Sequence, residues 1–179
     1  MLRTLMPLVV CLLGLAQVPN AQARKPEDVF AGQVLLSPTP FPGEARSESS
    51  YVAQLKKHSS DRFQENEAKK EWKIFYAAFF KQPLNDMEVT VKFYDVSGGG
   101  KRMVQAYEQY LNGRGERALR GKFNLPRSAD TYEANTRILL VIENRKRVLA
   151  SKTFYLEGRK RSFSGKVVFS EEDAQAQDQ

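Results

Sequence analysis

Covalent catalysis needs a nucleophile with a base beside it, and this 179-residue chain offers one histidine, His58, and one cysteine, Cys11. His58 stands in the polar stretch Lys56-Lys57-His58-Ser59-Ser60-Asp61, where a solvated side chain is the simpler reading. One imidazole and one thiol cannot assemble the common Cys/His zinc sites within one chain. Calcium takes oxygen ligands, yet no Asp-x-Asp-x-Asp-Gly loop occurs, and the densest oxygen cluster, Glu171-Glu172-Asp173, reads as a charged tail. Gly98-Gly99-Gly100-Lys101 resembles a phosphate-binding loop only until its spacing is checked. Asp95 stands where the first glycine belongs and Arg102 where a Ser or Thr would hold magnesium, so these glycines mark a hairpin turn. Carboxylate pairs capable of acid/base work exist in Asp86 with Glu88 and Glu108 with Glu116, but nothing in the sequence sets one facing another across a cleft. The expectation is a protein without catalytic residues, metal or cofactor.

Positive charge and exposed aromatics remain. Arg114, Arg117, Arg120 and Lys122 crowd one segment, while Arg145-Lys146-Arg147 and Arg159-Lys160-Arg161 flank the run Arg147 to Leu156. A strand of that length holds the last two clusters about 30 Å apart, at opposite poles of a sandwich. These residues are candidate contacts for anionic partners such as lipopolysaccharide phosphates, acidic glycans or an acidic protein surface. The competing reading is that they solvate turns and keep strand edges from pairing. Among the aromatics, Tyr94 faces outward by the parity of its strand. With Tyr107 or Tyr110 it would form an exposed strip suited to a sugar or a protein, the others being core.

The elements that must position these groups follow from composition and period. The chain is 41% hydrophobic and 27% charged, a balance that supports a packed core. Residues 1–23 combine Arg3, an apolar run from Leu5 to Ala16 and the small-x-small end Ala21-Gln22-Ala23, the layout of a secretory signal peptide. The run is short for a membrane span, and Val10 before Cys11 rules out a lipoprotein site. Cleavage after Ala23 removes the only cysteine, which suits a bacterial periplasm better than a eukaryotic extracellular space. Losing Arg3 leaves 27 of the 28 basic residues against 21 acidic ones, a mild excess unlike that of a dedicated nucleic-acid binder. From 24 to 70 the chain is polar, and Pro38, Pro40 and Pro42 exclude a helix or central strand there. This is expected to be an extended, largely irregular arm, with a short surface helix around Val52, Leu55 and Ser59 capped by Ser50.

From 71 to 170 period 2 takes over. Trp72, Ile74, Tyr76, Ala78 and Phe80 share one face and Phe75 and Phe79 the other, a central strand, after which Lys81 to Asp86 turns the chain. Met87, Val89, Val91 and Phe93 point inward from the next strand. Residues 101–112 fit a helical stripe as well as a strand, and the flanking Gly-rich and Asn-Gly turns favour a strand. Leu119, Gly121, Phe123 and Leu125 share a face; Ile138 to Ile142 predicts a strand buried on both sides; Arg147 to Leu156 and Phe163 to Ser170 complete seven strands. The acidic tail 171–179 is left to solvent.

Seven short strands without long helices between them predict an antiparallel all-β fold, a two-sheet sandwich or else a small β-barrel. The run Trp72 to Phe169 resembles immunoglobulin-like and fibronectin-like sandwich modules, without their cysteine pair. AAFFKQPLND, VTVKFYDV and GKFNLP are also similar to small envelope proteins of deltaproteobacteria, some of which accompany gliding-motility or surface-assembly machines. That resemblance implies an accessory role. The expected function is therefore a non-enzymatic periplasmic or secreted binding or scaffolding subunit of an envelope assembly, with envelope proteins as partners. The alternatives are a binder of anionic glycan or lipid head groups through the basic turns and, resting on the carboxylates alone, a hydrolase.

Overall fold

In the computed structural model, which describes residues 24–159, strand β3 (Glu71–Leu84) is apolar on both faces, and this decides how everything else is layered. Trp72, Ile74, Tyr76, Ala78 and Phe80 enter the main core, while Ala77 and Phe79 join a second cluster with Phe30, Leu35 and Leu55. The second cluster exists because α1 (Pro26–Val29) and α2 (Glu48–His58) lie over that face. β3 is the centre of a three-stranded sheet, flanked antiparallel by β1 (Val34–Ser37) and β6 (Glu116–Pro126).

The facing sheet has five strands. Its order is β2 (Arg62–Gln64), β8 (Arg147–Glu157), β7 (Thr136–Asn144), β4 (Glu88–Asp95) and β5 (Arg102–Tyr110). All neighbours in it run antiparallel except β2 with β8. Aromatic rings fill the space between the sheets: Phe123 stacks on Tyr76 at 4.2 Å, and Phe93 meets Phe123 and Tyr132 edge-on at 5.1 and 5.9 Å. Gly121, directly opposite Tyr76, makes that stack possible, since an added Cβ would stand 2.7 Å from the tyrosine ring. The Trp72 indole N–H donates to the Glu157 carbonyl at 2.9 Å and so ties one sheet to the other.

The parity of the sequence is largely preserved, as is the strand at 101–112, and the glycine run forms the β4–β5 turn. Among the described residues two sheets form and no closed barrel, and β2 breaks the expected antiparallel rule. The expected loose arm over 24–70 is corrected most. Val34 and Leu36 are buried in the main core, β1 pairs with β3, and Leu55 of α2 is fully buried. Three or four apolar residues suffice for a strand when a neighbouring strand offers a ladder, and a short run alone does not announce that neighbour. Ser47, three residues before the expected cap, closes the start of α2 by accepting from the Ser50 N–H at 3.2 Å. β3 continues through Lys81 to Leu84, with a register shift after Phe79, so the turn is confined to residues 85–87. Met87 is exposed there instead of pointing inward, and of the two apolar residues on the outward face of β7, expected to be buried, Val141 is buried and Leu139 is half-buried. Residues 1–23, the strand expected over 163–170, Lys160, Arg161 and the tail 171–179 lie outside the described residues.

β1 is bonded into both sides: Gln33 bridges Ser151 of β8, and the Ser60 N–H donates to the Leu36 carbonyl. Leu36→Ala should therefore cost about 2–5 kcal/mol in urea unfolding, the toll of an uncollapsed core cavity. A midpoint equal to that of the parent chain would mean that β1 is a loose arm after all. A second expectation concerns alkali. Burial pushes the Tyr76 hydroxyl up to about 12, and burial also holds Tyr107 and Tyr132 well above the usual tyrosine range. The fold favours the neutral phenol, so this stability is intact below the unfolded value of about 10 and drains away as pH rises from there towards the folded value. Phenolate absorbance should show three of the seven tyrosines ionising late and together with unfolding; seven independent, reversible titrations near the ordinary value would contradict the buried aromatic core.

Candidate functional site

The helices cover the outer face of the three-stranded sheet, whereas the outer face of the five-stranded sheet is covered by no other element among the described residues. Period 2 sends Glu88, Thr90, Lys92 and Tyr94 of β4 to that bare face, opposite Tyr110, Glu108, Ala106 and Met103 of β5. On the other side of β4, Glu143, Val141 and Leu139 of β7 continue the same rows. Lys92 and Glu143 form an ion pair on this surface, and the Glu143 carboxylate raises the lysine above its usual range.

Three chain reversals meet at one end of the sandwich. The β3–β4 turn (85–87), the β5–β6 connection (111–115) and the β7–β8 turn (145–146) lie together because Leu84 pairs with Glu116, Glu88 with Tyr110 and Thr90 with Glu143. At this end of the bare face is a cleft of about 530 Å³ lined by Asp86, Met87, Glu88, Thr90, Tyr110, Asn144 and Arg145. Its walls are cross-linked: the Asn144 side-chain amide donates to the Glu88 carbonyl at 2.8 Å, and the Arg145 guanidinium donates to the Asp86 carboxylate at 2.9 Å. The side chain of Tyr110 stands on the rim, 60% exposed.

The β7–β8 turn carries strain. Arg145 and Lys146 have φ of 48° and 70°, the pair of left-handed residues that a two-residue hairpin of the type I′ class requires. Asn-Gly satisfies that geometry without cost, whereas Arg-Lys does not. Such strain held at the edge of a cleft is a pointer to function.

The other candidate residues are dispersed. Arg114 is exposed in the β5–β6 connection and Lys122 is exposed on β6. The Arg120 guanidinium lies 5.4 Å over the Tyr51 ring. Arg117 is a structural clamp: it pairs with Asp28 at 2.8 Å and donates to the Glu27 and Lys81 carbonyls, holding α1 against β3. Lys146 and Arg147 are exposed beside Arg145, at the same end of the molecule as Arg114 and Arg117. Arg159, paired with Glu67 at 3.1 Å, is beyond the opposite end of β8. Tyr94 is half-buried beneath the Lys101 ammonium at 4.0 Å, and Tyr107 packs with Phe93 and Phe123 in the core. Tyr94 and Tyr110 are six positions apart along the β4–β5 ladder, about 20 Å, so no aromatic strip forms. His58 is exposed at the end of α2, on the helix-covered side.

The structure thus brings Tyr110 together with Arg145 and adds Asp86, Glu88, Thr90 and Asn144, which sequence reasoning did not place with them. Asp86 and Glu88 stood out only as a carboxylate pair. Their shared signal was position, since each lies at or next to a predicted reversal. No helix of the described residues is long and apolar enough to cross a membrane. The chain matches no protein-family model, and no curated protein matches it either.

Replacing Lys146 by glycine should relieve the left-handed strain and stabilise the fold by about 1 kcal/mol in denaturant titrations. An unchanged or lowered stability would show that the Lys146 side chain has contacts that outweigh the strain.

Proposed function

We propose that the protein is a non-enzymatic binding or scaffolding subunit of a bacterial envelope assembly, exported through its first 23 residues, that engages its partner across the bare face of the five-stranded sheet. The observation that carries this reading is the asymmetry of covering: helices pack on one outer face, while the other presents a cleft framed by three turns. In its finer detail the fold is proposed to be immunoglobulin-like. The order β1-β3-β6 against β8-β7-β4-β5 supports the correspondence with strands A-B-E and G-F-C-C′ of that architecture, in which the end loops are a common binding position. The absence of a cysteine pair separates it from antibody domains, and its tryptophan stands on β3, not on the third strand of that scheme.

Recognition of anionic glycans or lipid head groups has less support, because Arg117, Arg145 and Arg159 are each engaged by a carboxylate and the clusters at residues 145–147 and at Arg159 occupy opposite ends. The test is site-specific photo-crosslinking in the source cells. A crosslinking residue at Met103, 58% exposed on the bare face, should give a discrete protein adduct, and one at Lys57 on α2 should give none. No adduct from Met103, or equal labelling from both positions, would overturn the assignment of the face.

A further inference from the structure

We propose that the cleft at the turn end of the bare face binds a neutral hexopyranose unit of a saccharide, a reading that rests on the bare face being the recognition surface. A volume of about 530 Å³ falls within the range of small-ligand clefts, about 300–1,000 Å³, and accommodates a sugar ring with its substituents. The lining supplies what a polyol needs. Each sugar hydroxyl both donates and accepts, so neighbouring hydroxyls are matched by an acceptor beside a donor. Asp86 with Arg145 forms such a pair at 2.9 Å. The Asn144 side chain spends an N–H on the Glu88 carbonyl and keeps its own carbonyl oxygen, while the Glu88 carboxylate and the Thr90 hydroxyl project from adjacent outward positions of β4.

The aromatic completes the set. One face of a pyranose is a patch of C–H groups, and the exposed ring of Tyr110, directly across the ladder from Glu88, offers a flat apolar partner for it. Charge then narrows the class. The lining itself carries two carboxylates and one guanidinium, and that guanidinium is already bonded to Asp86, so the cleft's own side chains offer an anion no free cation. Arg145 is already bonded to Asp86, so a donor and an acceptor stand side by side in the cleft before a ligand arrives.

The experiment is a titration of the chain from Arg24 onward with maltotriose, cellotriose and chitotriose, followed by amide chemical shifts and calorimetry. At least one trisaccharide should bind with Kd on the order of 1 mM or tighter, with shifts centred on residues 86–90, 110 and 143–146. Tyr110→Ala should weaken binding by roughly tenfold, whereas Tyr110→Phe, which keeps the ring, should stay close to the parent. Affinity should be insensitive to salt, and dextran sulfate should not compete. The proposal falls if no trisaccharide shifts the cleft residues, if Tyr110→Ala binds as well as the parent, or if dextran sulfate displaces the sugar. A protein adduct from Met103 alongside failed saccharide binding would remove the sugar and leave the recognition face standing; loss of both would remove the two together.

Discussion

Burial of β3 on both faces is the constraint from which the rest of the architecture follows. A strand with one apolar face needs one partner layer; a strand with Phe79 and Ala77 behind Trp72, Ile74 and Tyr76 needs two. The second layer is recruited from the N-terminal segment, whose Phe30, Leu35 and Leu55 supply an apolar surface otherwise missing from a polar stretch. Once α1 and α2 are committed to that side, no other element among the described residues covers the outer face of the five-stranded sheet. The packing demand of one strand thus decides which sheet face the helices occupy.

Strand parity was legible because it is local. The alternation of Trp72 to Phe80, of Val89 to Phe93 and of Leu119 to Leu125 is carried by side-chain type at period 2, and the glycines at 98–100 mark a reversal by their own conformational freedom. What escaped is what depends on distant partners. Val34 to Ser37 is a strand because β3 lies alongside, with Leu35 opposite Ala77, 42 residues further on, and nothing in four residues encodes that. The same holds for Met87, which keeps the parity of an inward residue but falls in the turn before β4 begins. The cleft was hardest to foresee, since its walls come from residues 86–90, 110 and 144–145, three reversals that only the register of the ladders brings side by side.

Charge behaves in the same way. A string of arginines looks like a patch when written in one dimension, yet Arg117 clamps α1 through Asp28 across almost ninety positions and Arg127 reaches Glu65 across sixty-two. These pairs convert apparent surface charge into cross-links between segments that share no ladder. The pair of Arg117 with half-exposed Asp28 adds little stability by itself, whereas Glu65 is buried beside Arg127; in both cases the effect is to fix where a segment sits, as Arg117 does by also taking up two backbone carbonyls of its neighbours.

The single tryptophan has a consequence of a different kind. Trp72 is fully buried on β3, and its indole N–H is bonded to a carbonyl at the end of β8 in the opposite sheet. Its emission is therefore a built-in optical gauge of the seam between the sheets. Wavelength and quenching should stay fixed while loops or helices rearrange and change only when the two layers part and water reaches the indole, so one fluorophore, with no label added, distinguishes local motion from opening of the sandwich.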